Sequence, residues 1–195
     1  MLVHRHLLFA VLATLWLAVP GLAGEIEIGA AAPDFSTVGV DDTTYNLERL
    51  EDARLVVLCF TCNGCPVARA YEERLMKFVD RYEDQGVKLI AINSNNRTED
   101  LARMKTHAAE AGFNFPYVFD AAGDAARAYG AQVTPHFFVL DGDRKVAYRG
   151  AFDDDMKDPK TAHLAAAVDA LLAGKTPAEA STKAFGCGLK LKDPG

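Results

Sequence analysis

Hydrophobic and polar positions along this chain follow two periods, and the switches between them mark out the elements. Arg54 to Phe60 (Arg-Leu-Val-Val-Leu-Cys-Phe) is apolar on both faces beyond its first residue, the pattern of a buried central strand in a parallel sheet. From Val67 to Tyr82 the period changes. Ala68, Tyr71, Leu75, Phe78, Val79 and Tyr82 form one helical stripe, with Glu72, Glu73, Lys77 and Asp80 on the opposite face. Gly86 supplies a stop. Val87 to Ile92 reads as a second buried strand. The loop Ser94 to Thr98 leads into a helix running to about Ala111 and ending at Gly112, with Thr98 as its expected cap and Glu99 and Asp100 in its first turn. Phe113 to Phe119 supplies a short strand, Asp124 to Tyr129 a short helix, and His136 to Leu140 an apolar strand. Asp141-Gly142 then turns the chain into a strand over Lys145 to Arg149. His163 to Leu172 is an Ala/Leu-rich helix. Ahead of all this, Phe35 to Val38 and Thr43 to Asn46 read as a hairpin.

Buried strands joined through helices require a parallel core with right-handed crossovers, and the late hairpin adds an antiparallel edge. The predicted class is therefore α/β: a mixed central sheet with helices on both faces and an N-terminal hairpin extension.

The first residues stand outside this pattern. His4, Arg5 and His6 precede the apolar run Leu7 to Val19, and Gly21 and Ala23 occupy the −3 and −1 positions of a cut before Gly24. That is the form of a secretory leader over residues 1–23. The run is too short for a comfortable span, which takes about 20 apolar residues. Residues 24–195 then form one domain of roughly 170 residues, large enough for its own core, with a tail from about residue 175. Expected localisation is outside the cytoplasm, periplasmic in a Gram-negative bacterium. The formal net charge of −6 argues against nucleic acid or an anionic membrane surface as partner.

The chemistry is concentrated in Cys59-Phe60-Thr61-Cys62-Asn63-Gly64-Cys65-Pro66, at the junction of the first buried strand and the first helix. A helix N-terminus stabilises a thiolate, so a Cys-x-x-Cys pair there reads as a redox couple. Cys62, at or just before the helix start, is the expected attacker, and Cys65, one turn in, the less accessible resolver. Pro66 is tolerated in the first turn. Cys59 belongs to the apolar strand and packs as a small hydrophobe, which sets aside an iron–sulfur reading of the cysteine string. Cys187, flanked by Gly186 and Gly188, is either a second resolving thiol returned by the tail or a free cysteine; the sequence leaves both open. His136 follows Thr134-Pro135 and is either a half-buried strand histidine or, with Cys62 and Cys65, a copper ligand. Asp153-Asp154-Asp155 reads as a solvated loop, and Glu72 and Glu73 as an exposed helix face.

Taken together, these features resemble the thioredoxin-like superfamily, specifically its redoxin branch related to alkyl hydroperoxide reductase and thiol-specific antioxidant proteins. Ala32-Pro33-Asp34-Phe35 is similar to the redoxin N-terminal extension, Cys62-Asn63-Gly64-Cys65 to the thioredoxin-type dithiol, and Thr134-Pro135 to the cis-proline facing it. The resemblance implies a thioredoxin-like sandwich and a catalytic role for Cys62, Cys65 and Pro135. It also implies a substrate groove formed by Thr61, Asn63, Gly64 and Thr134, with no cofactor. Implied partners are protein or small-molecule disulfides and thiols, with a redox partner that the sequence does not name. Val56 stands where thioredoxins carry a buried acid. If Cys65 is aligned with a peroxidatic cysteine, Cys62 takes the place of the hydroxyl residue and Thr61 falls one position early. Three functions follow: thiol–disulfide exchange through Cys62 and Cys65, peroxide reduction with Cys65 attacking, and copper binding through Cys62, Cys65 and His136.

Overall fold

The structure is a computed structural model that describes residues 24–193; the leader assigned to residues 1–23 lies outside them. Its strands are β1 (Thr37–Gly39), β2 (Thr44–Tyr45), β3 (Leu55–Thr61), β4 (Val87–Asn93), β5 (Tyr117–Phe119), β6 (Val133–Thr134), β7 (His136–Leu140), β8 (Val146–Gly150) and β9 (Cys187–Gly188), and its helices α1 (Pro66–Tyr82), α2 (Leu101–Ala111), α3 (Asp124–Tyr129) and α4 (His163–Leu172). Seven strands form one sheet in the order β2-β1-β5-β4-β3-β7-β8, and β6 pairs separately with β9.

Register explains why β3 is apolar throughout. It lies parallel to β4, from Leu55 opposite Val87 to Thr61 opposite Asn93, and antiparallel to β7, with Phe60 opposite His136. Both edges are paired and both faces covered, so all seven residues are buried. On one face Val57 and Cys59 pack with Leu75 and Phe78 of α1, Met104 of α2 and Leu164 of α4. On the other, Val56, Leu58 and Phe60 pack with Ala126 and Tyr129 of α3 and with Phe35 and Leu47 of the N-terminal segment. The N-terminal hairpin extends the sheet itself, because β1 pairs antiparallel with β5.

Two expectations about local structure need correcting. α2 is capped by Asp100, whose carboxylate accepts the Arg103 N–H at 2.9 Å, and not by Thr98. The helix starts later because Glu99 is drawn away to another partner, described below. The Asp153–Asp155 loop is also not uniformly solvated. Asp154 and Asp155 are exposed, but Asp153 is 2% exposed, accepting hydrogen bonds from Tyr71 Oη and from Arg74 at 2.7 Å. This ties α1 to the loop after β8. A run of three acids carries no sign of which one meets a tyrosine and an arginine across the fold.

Removing that acceptor strands a buried hydroxyl and a partly buried guanidinium. Asp153→Ala is expected to lower unfolding stability by about 1–3 kcal/mol, measured by urea denaturation. Asp153→Asn keeps an acceptor for Tyr71 and should lose less.

Candidate active site

β3 ends at Thr61, and the chain crosses to α1 through Cys62, Asn63 and Gly64. Helix α1 opens at Pro66, so its N-cap is Cys65, with extended backbone at φ −88° and ψ 117°. Proline at the first helical position has no N–H to waste there. The Cys65 Sγ accepts the Ala68 N–H at 3.4 Å, as a capping serine oxygen would. The expected placement of Cys65 one turn into the helix is thereby corrected: the helix-end field and the free amides act first on Cys65, while Cys62 sits three residues outside the cap.

The thiol acidities divide accordingly. Burial pushes Cys62 up to about 11, and the charges of Glu99 and Cys65 add to this against a partial offset from the Thr134 hydroxyl. Burial also opposes ionisation of Cys65, but hydrogen bonds from the Cys187 thiol, the Ala68 N–H and Thr134 outweigh it and hold Cys65 below the ordinary cysteine value. Cys59 is fully buried in the core and pushed far up by desolvation, as its place in the apolar strand leads one to expect.

Thr134 lies beside three thiols, those of Cys62, Cys65 and Cys187. Its hydroxyl is 3.4 Å from Cys62 Sγ, and its carbonyl accepts from Cys65 Sγ at 3.2 Å. The Thr134–Pro135 peptide bond is cis. Thr134 itself pairs in antiparallel register with Cys187. Cys187 packs with Cys62, Cys65 and Ala68 in one small cluster, so the tail does return to the dithiol. The tail that carries Cys187 is not loosely held, since Thr182 N donates to Arg149 O at 3.0 Å, Lys190 N to Asn95 Oδ1 at 2.8 Å and Lys192 N to Asn96 Oδ1 at 2.7 Å. Asn95 and Asn96 are buried by these contacts. All four cysteines are free thiols. Of the residues expected to form the groove, Thr61 and Thr134 are buried, while Asn63 is half-buried and Gly64 exposed.

Glu99 is the site residue that sequence reasoning missed. Its carboxylate accepts the backbone N–H of Asn63 at 3.1 Å and of Gly64 at 2.9 Å, and the Asn93 side-chain amide at 2.6 Å. Tyr117 completes the set by donating to Asn63 Oδ1 at 2.7 Å. The two loop amides lying between the cysteines are thus held by an anion. Nothing in the spacing marked this acid, because Glu near a helix start is ordinarily read as a dipole partner. Glu72 and Glu73 are engaged elsewhere: Glu72 with His107 on α2 at 2.6 Å and Glu73 with Lys77 at 2.6 Å. Half-buried Glu72 departs from the exposed face expected of it.

His136 is not half-buried but 1% exposed. Its Nε2 lies 3.9 Å from a Glu25 carboxylate oxygen, its Nδ1 has no partner, and its ring lies 4.6 Å from that of Phe138. Burial, and then the Arg149 charge, depress its pKa to about 4. The copper reading is corrected here: among the described residues no three His, Cys, Asp or Glu side chains are grouped to hold a metal ion. β7 turns His136 toward the α3 face of the sheet, with Phe138.

Two outcomes follow. Glu99→Gln removes the negative charge beside Cys62 while keeping an acceptor for one loop amide; Cys62 should alkylate roughly 3–10-fold faster at pH 9, the effect of lowering its pKa by half a unit to one unit. For His136 the folded pKa of about 4 lies below the ordinary 6.5, so the unfolded chain takes up the proton first. The neutral histidine's contribution is complete above pH 6.5 and is lost as pH falls toward 4, amounting to about 3 kcal/mol. Urea unfolding at a series of pH values should show this loss, and His136→Phe should remove it.

The family model described as Redoxin matches residues 27–167. Thiol-disulfide oxidoreductase ResA of Bacillus cereus (strain ATCC 10987 / NRS 248) is 26% identical over 122 residues, covering 63% of this chain and 68% of that protein. Peroxiredoxin-2 of Mus musculus is 29% identical over 147 residues, covering 69% of this chain and 67% of that one. A hypothetical protein from Sinorhizobium meliloti 1021 has a similar crystal structure, with a TM-score of 0.81 and 35% identity over 87% of this chain and 97% of that one. The matched segment contains Cys62, Cys65 and Thr134-Pro135 but stops short of Cys187. With the mixed sheet and the thiol cluster described above, these likenesses establish that the chain belongs to the redoxin family of the thioredoxin-like superfamily and is an oxidoreductase that works through thiols.

Proposed function

We propose that this chain is an exported thiol–disulfide oxidoreductase in which Cys65 is the central thiolate, exchanging with Cys62 and Cys187 on either side. The carrying observation is that Cys65 caps α1 and shares Thr134 with both other thiols. Export rests on the leader pattern of residues 1–23. An attacking sulfur must be ionised, and the cap, the Ala68 N–H and the Cys187 proton favour ionisation at Cys65. Cys62 has the opposite surroundings, buried beside Glu99. This reverses the order expected from the motif alone. Exchange then runs by in-line attack of Cys65 on a neighbouring sulfur, with a second thiol resolving the intermediate. Asn63 and Gly64, gripped by Glu99, hold the loop so that the two cysteines stay adjacent. A second reading, thiol-dependent peroxidase with Cys65 attacking peroxide, draws on the same cap and on the likeness to peroxiredoxin-2.

Ultraviolet thiolate absorbance against pH tests the assignment. Cys65→Ser should remove the lowest-pH transition and abolish turnover of a small disulfide such as oxidised glutathione; Cys62→Ser should keep that transition. Retention of the transition in Cys65→Ser would overturn the reading. Formation of a Cys65 sulfenic acid with hydrogen peroxide faster than disulfide exchange would favour the peroxidase.

A further inference from the structure

The tail of this protein makes a strand at the thiols themselves. β9 pairs antiparallel with β6, placing Cys187 opposite Thr134 and Gly188 opposite Val133. The next residue continues the ladder, since Leu189 N donates to Gln132 O at 3.0 Å. The strand is held from both ends. Upstream, Thr182 bonds Tyr148 Oη at 2.7 Å, and Phe185 lies against Tyr71 with ring centres 6.3 Å apart. Downstream, Lys190 and Lys192 are tied to Asn95 and Asn96, while Leu189 and Leu191 pack on the core. Between these anchors the chain passes as close to Thr134 as a backbone can. A Cβ on Gly186 would stand 2.0 Å from the Thr134 carbonyl oxygen, and Gly186 has φ +151°.

An extended polypeptide that brings a cysteine to Cys65 along this edge needs the hydrogen-bonding groups of β6, because strand addition works by completing an unpaired edge. In this protein the edge is already complete, and the residue delivered to Cys65 is the chain's own Cys187. Cys65 is 2% exposed beneath it, whereas Cys187 is partly exposed. Taking Cys65 as the central thiolate, as proposed above, we infer that the tail strand Gly186-Cys187-Gly188 is a built-in occupant of the peptide-pairing edge, so that the site excludes polypeptide disulfides and serves small disulfides, which meet Cys187 first.

The exchange balances without another reactant. The Cys65 thiolate takes the proton of its hydrogen-bonded neighbour Cys187, whose thiolate attacks one sulfur of a small disulfide RSSR; a Cys187–S–S–R bond forms, the S–S bond of RSSR breaks, and the departing RS⁻ takes the proton back from Cys65 and leaves as RSH. The Cys65 thiolate attacks Cys187 Sγ, forming Cys65–Cys187 and expelling the second RS⁻, which takes up a proton. Two protein thiols are oxidised and one disulfide is reduced to two thiols. Cys62 is not needed for these steps.

The experiment compares the full chain with Gly186→Val and Cys187→Ser. Gly186→Val keeps the tail thiol but places a branched side chain where the Thr134 carbonyl already sits, lifting β9 from β6. Cys187→Ser keeps the strand docked and removes the sulfur. Each protein, reduced and then mildly oxidised with glutathione disulfide, is mapped for disulfides. Each is also timed against glutathione disulfide and against a disulfide-linked extended decapeptide. The unmodified chain should form Cys65–Cys187, alkylate at Cys187 before Cys65, and react with glutathione disulfide at least 10-fold faster than with the decapeptide. Gly186→Val should gain 10-fold or more toward the decapeptide and shift its disulfide to Cys62–Cys65. Cys187→Ser should remain slow with the decapeptide and become slow with glutathione disulfide. A Cys62–Cys65 disulfide in the unmodified chain, or equal rates toward both substrates, overturns the inference while leaving Cys65 as central thiolate untouched. Undiminished turnover by Cys65→Ser would instead fail the underlying reading. The mapping and alkylation order of the unmodified chain decide the matter even if a variant does not fold.

Discussion

The thiol cluster of this protein depends on one residue with no redox chemistry of its own. Thr134 is fully buried, its hydroxyl beside Cys62, its carbonyl under Cys65, and its backbone paired with Cys187. Three sulfurs from two separate stretches of chain are therefore set around a single peptide unit. The constraint propagates outward. β7 must follow immediately so that its antiparallel register with β3 brings Thr134 level with the end of that strand. The tail must carry a glycine where it crosses the Thr134 carbonyl, because no side chain fits there.

Around that centre, ionisation is sorted by charge and burial rather than by motif order. Cys62 and Cys65 are both nearly inaccessible, at 3% and 2% exposed, and burial works against a thiolate at each, more strongly at Cys62. The rest of the difference comes from what faces each sulfur. Cys65 receives hydrogen-bond donors from a helix start and from a neighbouring thiol, and Cys62 stands near the carboxylate that grips the loop amides. Glu99 thus does two things at once. It satisfies two backbone donors that the turn into α1 would leave unpaired, and its charge disfavours a thiolate at Cys62.

Much of the fold was legible in the hydrophobic pattern. The stripe of Ala68, Tyr71, Leu75, Phe78 and Tyr82 is the buried face of α1, and the all-apolar stretch up to Phe60 is the central strand. Short-range signals fared less well where long-range partners competed for the same side chain. Thr98 had the look of a cap, but Asp100 took that role once Glu99 was committed to the loop. Asp153 sat in an acidic run and yet became the buried anchor of Tyr71 and Arg74. His136 was half-buried by pattern and fully enclosed in fact, because Glu25 and Arg149 cover the edge that alternation leaves open.

By itself, the sequence determined the layered α/β architecture, the strand-to-helix position of the dithiol and the core role of Cys59, since each follows from periodicity within a few neighbouring residues. Only the tertiary structure decided which cysteine caps the helix, that Glu99 holds the loop and that the tail brings Cys187 to Cys65. The last two are meetings between residues 35 and 122 positions apart, and local pattern carries no information about which distant groups share one small, water-poor volume.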